Sequence, residues 1–317
     1  MVDLKSVLLA ACVTFGLAAP VAAQDFRIVA PAAPGGGWDQ TARSLQAALQ
    51  GEGLGKNVQV VNVPGAGGTI GLAQFVNQSK ADPKALIVGG YVMVGAVIAN
   101  NAPVKLDQVT PIARLTGEYE AVVVPTGSDI KTMGDLVTKL KADPGAVSWG
   151  GGSAGGTDHI AVGLIAKAAG VEPTKINYIP FSGGGEALAA IVGGKVTAGI
   201  SGYGEFEGQV KAGKLRVLGV SAPERQPNID APTFKESGVD VEVQNWRSVW
   251  AAPGITDAEK AQIIATFEKL NASETWKKTL ETKGWANTFL AGDAFAEYLK
   301  GEIQQTTLVL KDIGLAK

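Results

Sequence analysis

Cysteine and histidine are nearly absent from this chain. Its 317 residues include one of each, Cys12 and His159. A lone cysteine excludes an intrachain disulfide and a cysteine-rich metal site. A lone histidine excludes a multi-histidine metal centre, so no metal is expected. Charge is scarce too: 18% of residues are charged, and 28 Lys and Arg against 30 Asp and Glu leave a formal −2. No basic block interrupts that balance, which argues against a nucleic-acid surface. Glycine is what the chain has in quantity, 42 residues within an ordinary hydrophobic content of 46%.

The first 23 residues read as a secretory signal. Lys5 supplies a positive start, Val7 to Ala19 an apolar run too short for a stable membrane span, and Val21-Ala22-Ala23 a small-residue cleavage site. Leu9-Ala10-Ala11-Cys12 has the form of a lipoprotein processing box. Cleavage there would strand the hydrophobic run on the mature chain, so anchoring at Cys12 is not expected. The mature chain then contains no cysteine and works outside the cytoplasm.

Past the leader, strand-like apolar runs alternate with helical patterns, the mark of an α/β fold with a largely parallel sheet. The expected strands are 26–30, 58–63, 85–89, 121–124, 147–149, 176–179, 198–200, 215–220 and 248–252. The last part, from Asp257 onward, reads as helix upon helix, opened by a cap at Thr256-Asp257-Ala258-Glu259. Breaks near 116–120 and at the proline-rich 221–232 set off a middle block. The expected layout is a first lobe of 24–119 with 224–317, and a second lobe, 120–223, inserted into it. Two crossings between lobes would make a hinge able to close on a ligand.

Glycine collects at the strand-to-helix junctions: 34–37, 65–69, 150–156, 182–185 and 201–204. In open α/β sheets ligands sit beyond the carboxyl ends of the strands, where such loops gather. Pro34-Gly35-Gly36-Gly37-Trp38-Asp39 stands out, since glycines admit close backbone approach and the helix after them offers free N–H groups to an anion.

The loop at 150–157 has two sharper readings. Gly150, Gly152 and Gly155 fit a dinucleotide fingerprint, but the next strand ends in Pro180-Phe181 where an acid is required. No Walker motif occurs, and no cofactor is expected. Gly151-Gly152-Ser153-Ala154-Gly155 also spells a nucleophile elbow, yet the one histidine lies six residues after Ser153 and nothing follows it. A secreted serine hydrolase using Ser153 is the enzymatic alternative. Ser153 and Thr157 read better as hydroxyl donors beside a helix N-terminus.

The candidate ligand-binding residues are Gly35, Gly36, Gly37, Trp38, Asp39, Tyr91, Ser153, Gly156, Thr157, His159, Ser182 and Tyr203. Among them Asp39 could equally brace its own loop, Trp38 anchor a core, and His159 pack or cap as a neutral ring. Tyr91 and Tyr203 follow strands and could offer phenols to the cleft. Trp246, Trp250, Trp276 and Trp285 read as structural.

Together, Pro31-Ala32-Ala33-Pro34-Gly35-Gly36-Gly37-Trp38-Asp39-Gln40-Thr41-Ala42-Arg43, Val63-Pro64-Gly65-Ala66-Gly67-Gly68-Thr69, the 150–159 loop, Gly193-Gly194-Lys195-Val196 and Asn245-Trp246-Arg247 resemble the receptors of tripartite tricarboxylate transporters, the Bug-type periplasmic solute-binding proteins. The resemblance covers nearly the whole mature chain. It implies a two-lobe, periplasmic-binding-protein-like α/β fold, each lobe a mostly parallel sheet flanked by helices. It implies a monomer that binds a small di- or tricarboxylate, a citrate-like acid, between the lobes and delivers it to a membrane permease without catalysis. Backbone amides at Gly35, Gly36 and Gly37 would hold the carboxylate, with Ser153 and Thr157 opposite. A bulky Trp38, where many relatives carry a small or polar residue, fits a tricarboxylate-preferring branch. The same fold could also serve as a ligand sensor for a signalling partner.

Overall fold

The computed structural model describes residues 23–181, 184–227 and 229–317. The expected leader, Cys12 included, lies outside these residues apart from Ala23, and Ser182 lies outside them too. The first part of the chain runs β1 (Gln24–Ala30), α1 (Gly37–Gly51), β2 (Gly55–Asn62), α2 (Thr69–Gln78), β3 (Ala85–Gly90), α3 (Tyr91–Ala99) and β4 (Thr110–Pro125). The middle adds α4 (Met133–Ala142), β5 (Ser148–Gly151), α5 (Thr157–Ala168), β6 (Asn177–Pro180), α6 (Gly184–Val192), β7 (Ala198–Gly202), α7 (Tyr203–Lys211) and β8 (Leu215–Val220). The end supplies β9 (Gln244–Ala251), α8 (Asp257–Ala272), α9 (Glu274–Lys283), β10 (Ala286–Ala291) and α10 (Gly292–Asp312).

The chain folds as two lobes that share one strand. β4, 16 residues long, pairs through its first half with β9 and β10 and through its second half with β7 and β8. The strand order is β2-β1-β3-β9-β4-β7-β5-β6. The parallel pairs expected from sequence lie on the flanks: β1 with β2 and β3, and β5 with β6 and β7. Every pairing made by β4 and β9 is antiparallel, so the sheet as a whole is mixed.

Separate cores fill the lobes. Ile28, Leu45, Leu86, Trp250 and Trp276 belong to the first, while Val122, Trp149, Ile165 and Leu218 belong to the second. The second half of β4 is buried on both faces: Val122 and Val124 point into one cluster, Ala121 and Val123 into another with Phe206 and Leu215. That is the two-residue alternation of a strand covered on both sides. Phe234, Val239, Val241 and Val243 also pack in the second core.

Three elements depart from the sequence reading. The first half of β4 was not expected as strand, because Pro111, Arg114, Glu118 and Glu120 break its apolar pattern. α3 escaped because Tyr91–Ala99 is apolar on nearly every side and has no periodic signal. β10 interrupts the supposed run of terminal helices between α9 and α10. The cap of α8 is as expected: Thr256 Oγ1 accepts from the Glu259 N–H, and Glu259 Oε2 accepts from the Thr256 N–H at 2.8 Å, together worth about 1 kcal/mol. Trp246, Trp250, Trp276 and Trp285 are all buried in the first core.

Candidate functional site

Two glycine loops, one on each lobe, are built alike. Gly35 and Gly155 both take a left-handed conformation, with φ of +85° and +74°, which a side chain at either position would strain. Each donates its N–H to the side chain four residues on: Gly35 to Asp39 Oδ2 at 2.8 Å, Gly155 to His159 Nδ1 at 3.2 Å. The next glycine, Gly36 or Gly156, donates back to a carbonyl three residues earlier, Ala33 at 3.1 Å or Ser153 at 2.9 Å. Its own carbonyl then accepts the first helical bond, from Gln40 in α1 or Ile160 in α5.

This repetition changes which amides are available. The N–H groups of Gly35 and Gly36, expected to bind a ligand, are used within the loop. The first-turn amides from Gly37 and from Thr157 onward have no partner inside their helices, and they carry the positive ends of the two helix dipoles. Both loops line a single cleft of about 460 Å³, as do Gly65 to Gly68 and Val92. Of the expected residues, Gly35, Gly36, Gly37, Trp38, Ser153, Gly156 and Thr157 are brought together there. Trp38 both lines the cleft and is 8% exposed in the first core. Thr157 is fully buried, and its Oγ1 has no hydrogen-bond partner among the described residues.

Four expected residues do not line the cleft, for one geometric reason. Successive helical side chains turn by roughly 100°, so a residue two places beyond a cleft-facing one points away from it. Asp39 follows Gly37 in this way and is buried behind the loop, accepting also from Arg43 Nε at 2.9 Å and Asn62 Nδ2 at 2.8 Å. Burial alone would raise its pKa, but the bonds from Arg43, Gly35 and Asn62 bring it below the usual carboxylate range. His159 follows Thr157 and stacks on Tyr178, ring centroids 4.0 Å apart. Burial lowers its pKa to about 4, so its ring is neutral and Nδ1 is free to accept. Tyr203 packs against the Ala121–Phe206 cluster while Glu205 faces the cleft. Tyr91 turns towards Trp246, at 6.5 Å between ring centroids, and leaves Val92 on the lining. Burial and the nearby Glu302 push its phenol up to about 12.

A charged floor was not foreseen from sequence. Asp158, Glu205, Asn245 and Arg247 line the cleft, and Glu118 and Glu120 on β4 stand behind them. Arg247 is 4% exposed, forms an ion pair with Glu118, and lies so close to α1 that a Cβ on Gly37 would overlap its guanidinium. Asp158 Oδ2 accepts from the Gly152 N–H at 2.6 Å, and Glu205 Oε2 from Ser201 Oγ at 2.9 Å. Burial, opposed by that Gly152 bond and reinforced by Glu205 and Glu118, carries Asp158 up to about 7. Glu120 is fully buried and, through burial and the Asp158 charge, is raised well above the carboxylate range. Burial and Glu118 raise Glu205 as well. The acids on β4 were visible as Glu118-x-Glu120 in an otherwise apolar stretch, but nothing local announced that positions 118, 158, 205 and 247 converge.

Among the described residues no helix is long and apolar enough to cross a membrane. The chain is 29% identical over 317 residues to Protein BugT of Bordetella pertussis, covering 95% of this chain and 94% of that one. Its fold is similar to that of MatC from Rhodopseudomonas palustris with bound malate (TM-score 0.79, 23% identity, 90% and 99% of the two chains covered). A second R. palustris structure, with adipate, gives a TM-score of 0.83 at 22% identity and covers 92% and 98%. The family model described as the tripartite tricarboxylate transporter family receptor matches residues 41–315. With that match running through both lobes from within α1 onward and taking in the second glycine loop, the chain belongs to this receptor family of solute-binding proteins.

Proposed function

We propose that this chain is a monomeric periplasmic receptor that closes its lobes on a small di- or tricarboxylate and hands it to a membrane permease, without catalysing a reaction. One observation carries the reading: two equivalent glycine loops on opposite lobes, each opening a helix, line one cleft. Helix N-termini hold anions through unpaired N–H groups and the dipole, and a charge-assisted hydrogen bond contributes about 1.5–3 kcal/mol. A few such donors suffice for micromolar affinity, roughly 8 kcal/mol. The malate and adipate held by two proteins of the same fold support a small carboxylate as ligand.

For the lobes we take 24–119 with 244–317 as the first and 120–243 as the second. This places the return crossing later than the 224 expected from sequence. Its support is the packing of Phe234, Val239, Val241 and Val243 in the second core. The hydrolase alternative finds no support in the geometry of its only base: His159 Nδ1 already accepts from the Gly155 amide, and its ring is stacked on Tyr178.

Calorimetric titration of the ligand-stripped mature chain against malate, succinate, adipate and citrate tests the reading. At least one should bind with a Kd of about 10 μM or tighter. Binding no tighter than millimolar across the panel overturns it, and ester turnover abolished by Ser153→Ala would install the hydrolase in its place.

A further inference from the structure

The floor of the cleft holds more negative charge than the protein itself balances. Four carboxyl groups, Glu118, Glu120, Asp158 and Glu205, lie at or behind the floor with one guanidinium, Arg247, and Glu118 already forms an ion pair with it. Full burial favours the protonated form of Glu120, which removes one charge. Asp158 and Glu205 are then left without a salt-bridge partner among the described residues. Hydrogen bonds from the Gly152 amide and the Ser201 hydroxyl reach Asp158 and Glu205, but a dipole offsets only part of a buried charge. Among the described residues no three His, Cys, Asp or Glu side chains are placed to hold a metal ion.

A second observation marks the same place as a binding surface. Thr157 lies beside Asp158 in the first turn of α5, is fully buried, lines the cleft, and has an Oγ1 with no hydrogen-bond partner among the described residues. A buried hydroxyl left unpaired costs about 1–3 kcal/mol, so its geometry is that of a group kept for a ligand.

The geometry points to a zwitterion as ligand: its carboxylate at the two glycine loops, and a protonated amine on the floor between Asp158 and Glu205. This rests on the carboxylate reading above and narrows it to amino-carboxylates. The cleft would sort its ligands by charge at both ends. A second carboxylate on the floor would meet Asp158 and Glu205 and have only Arg247, already paired, to answer it. An ammonium there would supply the missing cation and three N–H donors. The rival account has protons do the same work, with neutral acids on the floor donating to a second carboxylate.

Matched pairs separate the two accounts. Ligand-stripped protein is titrated at pH 7.5 with aspartate and succinate, glutamate and glutarate, and 4-aminobutyrate and butyrate, which differ only in the amine. In at least one pair the amino member should bind tenfold or more tightly than its twin. Glu205→Gln should weaken the amino member tenfold or more and strengthen the twin, and Asp158→Asn should do the same. The inference is overturned if the desamino member binds as tightly or more tightly in every pair. It is equally overturned if both variants weaken the two members alike. Should no member of any pair bind better than millimolar, while malate, adipate or citrate does, the zwitterion reading alone falls. If none of these acids binds, the carboxylate reading falls and this inference with it.

Discussion

Asp39 and His159 hold the same place on opposite lobes. Each sits in the first turn of its helix, turns away from the cleft, and accepts the N–H of the left-handed glycine four residues before it. A carboxylate and a neutral imidazole thus serve one purpose, fixing the glycine loop at the start of its helix. Neither needs to touch the ligand to matter for affinity.

Removing either brace should weaken binding through loop order. A neutral hydrogen bond contributes about 1 kcal/mol and a charge-assisted one about twice that. His159→Ala should therefore cost roughly fivefold in affinity and Asp39→Ala roughly tenfold or more. Calorimetry reads both, and faster amide exchange at 33–38 or 153–158 would tie the loss to the loop. Unchanged affinity in both variants would show the loops hold themselves.

Thr157→Val separates binding from stability. The substitution removes a buried hydroxyl that has no hydrogen-bond partner among the described residues and keeps the shape. The free protein should hold its melting temperature or gain a degree or two, since an unsatisfied polar group is lost. Affinity should fall about tenfold, near 1.4 kcal/mol. A fall in stability with no change in affinity would mean the hydroxyl serves the fold.

These residues also show how far the chain could be read beforehand. The glycine loops were legible because glycine next to a helix start has few other uses, and Ser153, Thr157 and Trp38 were found as their neighbours. Glu205 and Asp158 were missed in favour of Tyr203 and His159, one or two positions away on the same helices. Chemistry drew attention to the ring, while helical rotation decides which side chain faces the cleft. Arg247 belonged to a motif whose purpose depends on Glu118, 129 positions earlier in the chain. No local pattern encodes such a pair. The regular strands were readable from their apolar runs, whereas α3, buried all round, and the charged half of β4 lacked the period that reveals an element.

The Arg247–Glu118 pair is buried on both sides, with side chains 5% and 7% exposed. Arg247→Met would leave Glu118 as one more uncompensated acid in the floor, at a cost of about 3–5 kcal/mol. Urea denaturation measures this, and Glu118→Gln added to Arg247→Met should recover most of it. A loss below about 1 kcal/mol in the single variant would show that the floor absorbs the charge by taking up a proton.

Asp158 and His159 should make opposed contributions to the pH dependence of stability. Asp158 rises from 3.8 to about 7 on folding. Across that window the folded chain binds the extra proton, so this contribution is present at low pH and lost as pH rises towards 7. His159 falls from 6.5 to about 4. Its neutral folded form therefore costs stability as pH drops through that range. In Asp158→Asn the first contribution is removed while that of His159 stays, and the melting temperature should fall more steeply than wild type between pH 7 and 4. Identical slopes would mean that Asp158 titrates normally in the fold.

The place of β9 between β3 and β4 also sets an order of assembly. The second lobe, with the bounds proposed above, is one continuous length of chain. The first lobe has to wait: its early strands end at β3, whose six residues are all buried in the finished protein, and the strand that covers β3's free edge arrives only at Gln244–Ala251. Until then the growing chain carries an unpaired apolar edge, the kind that recruits other chains. A polypeptide ending at residue 243 should thus aggregate on refolding while one ending at 317 does not, as light scattering would record. For this receptor the last quarter of the chain is the seal on the first.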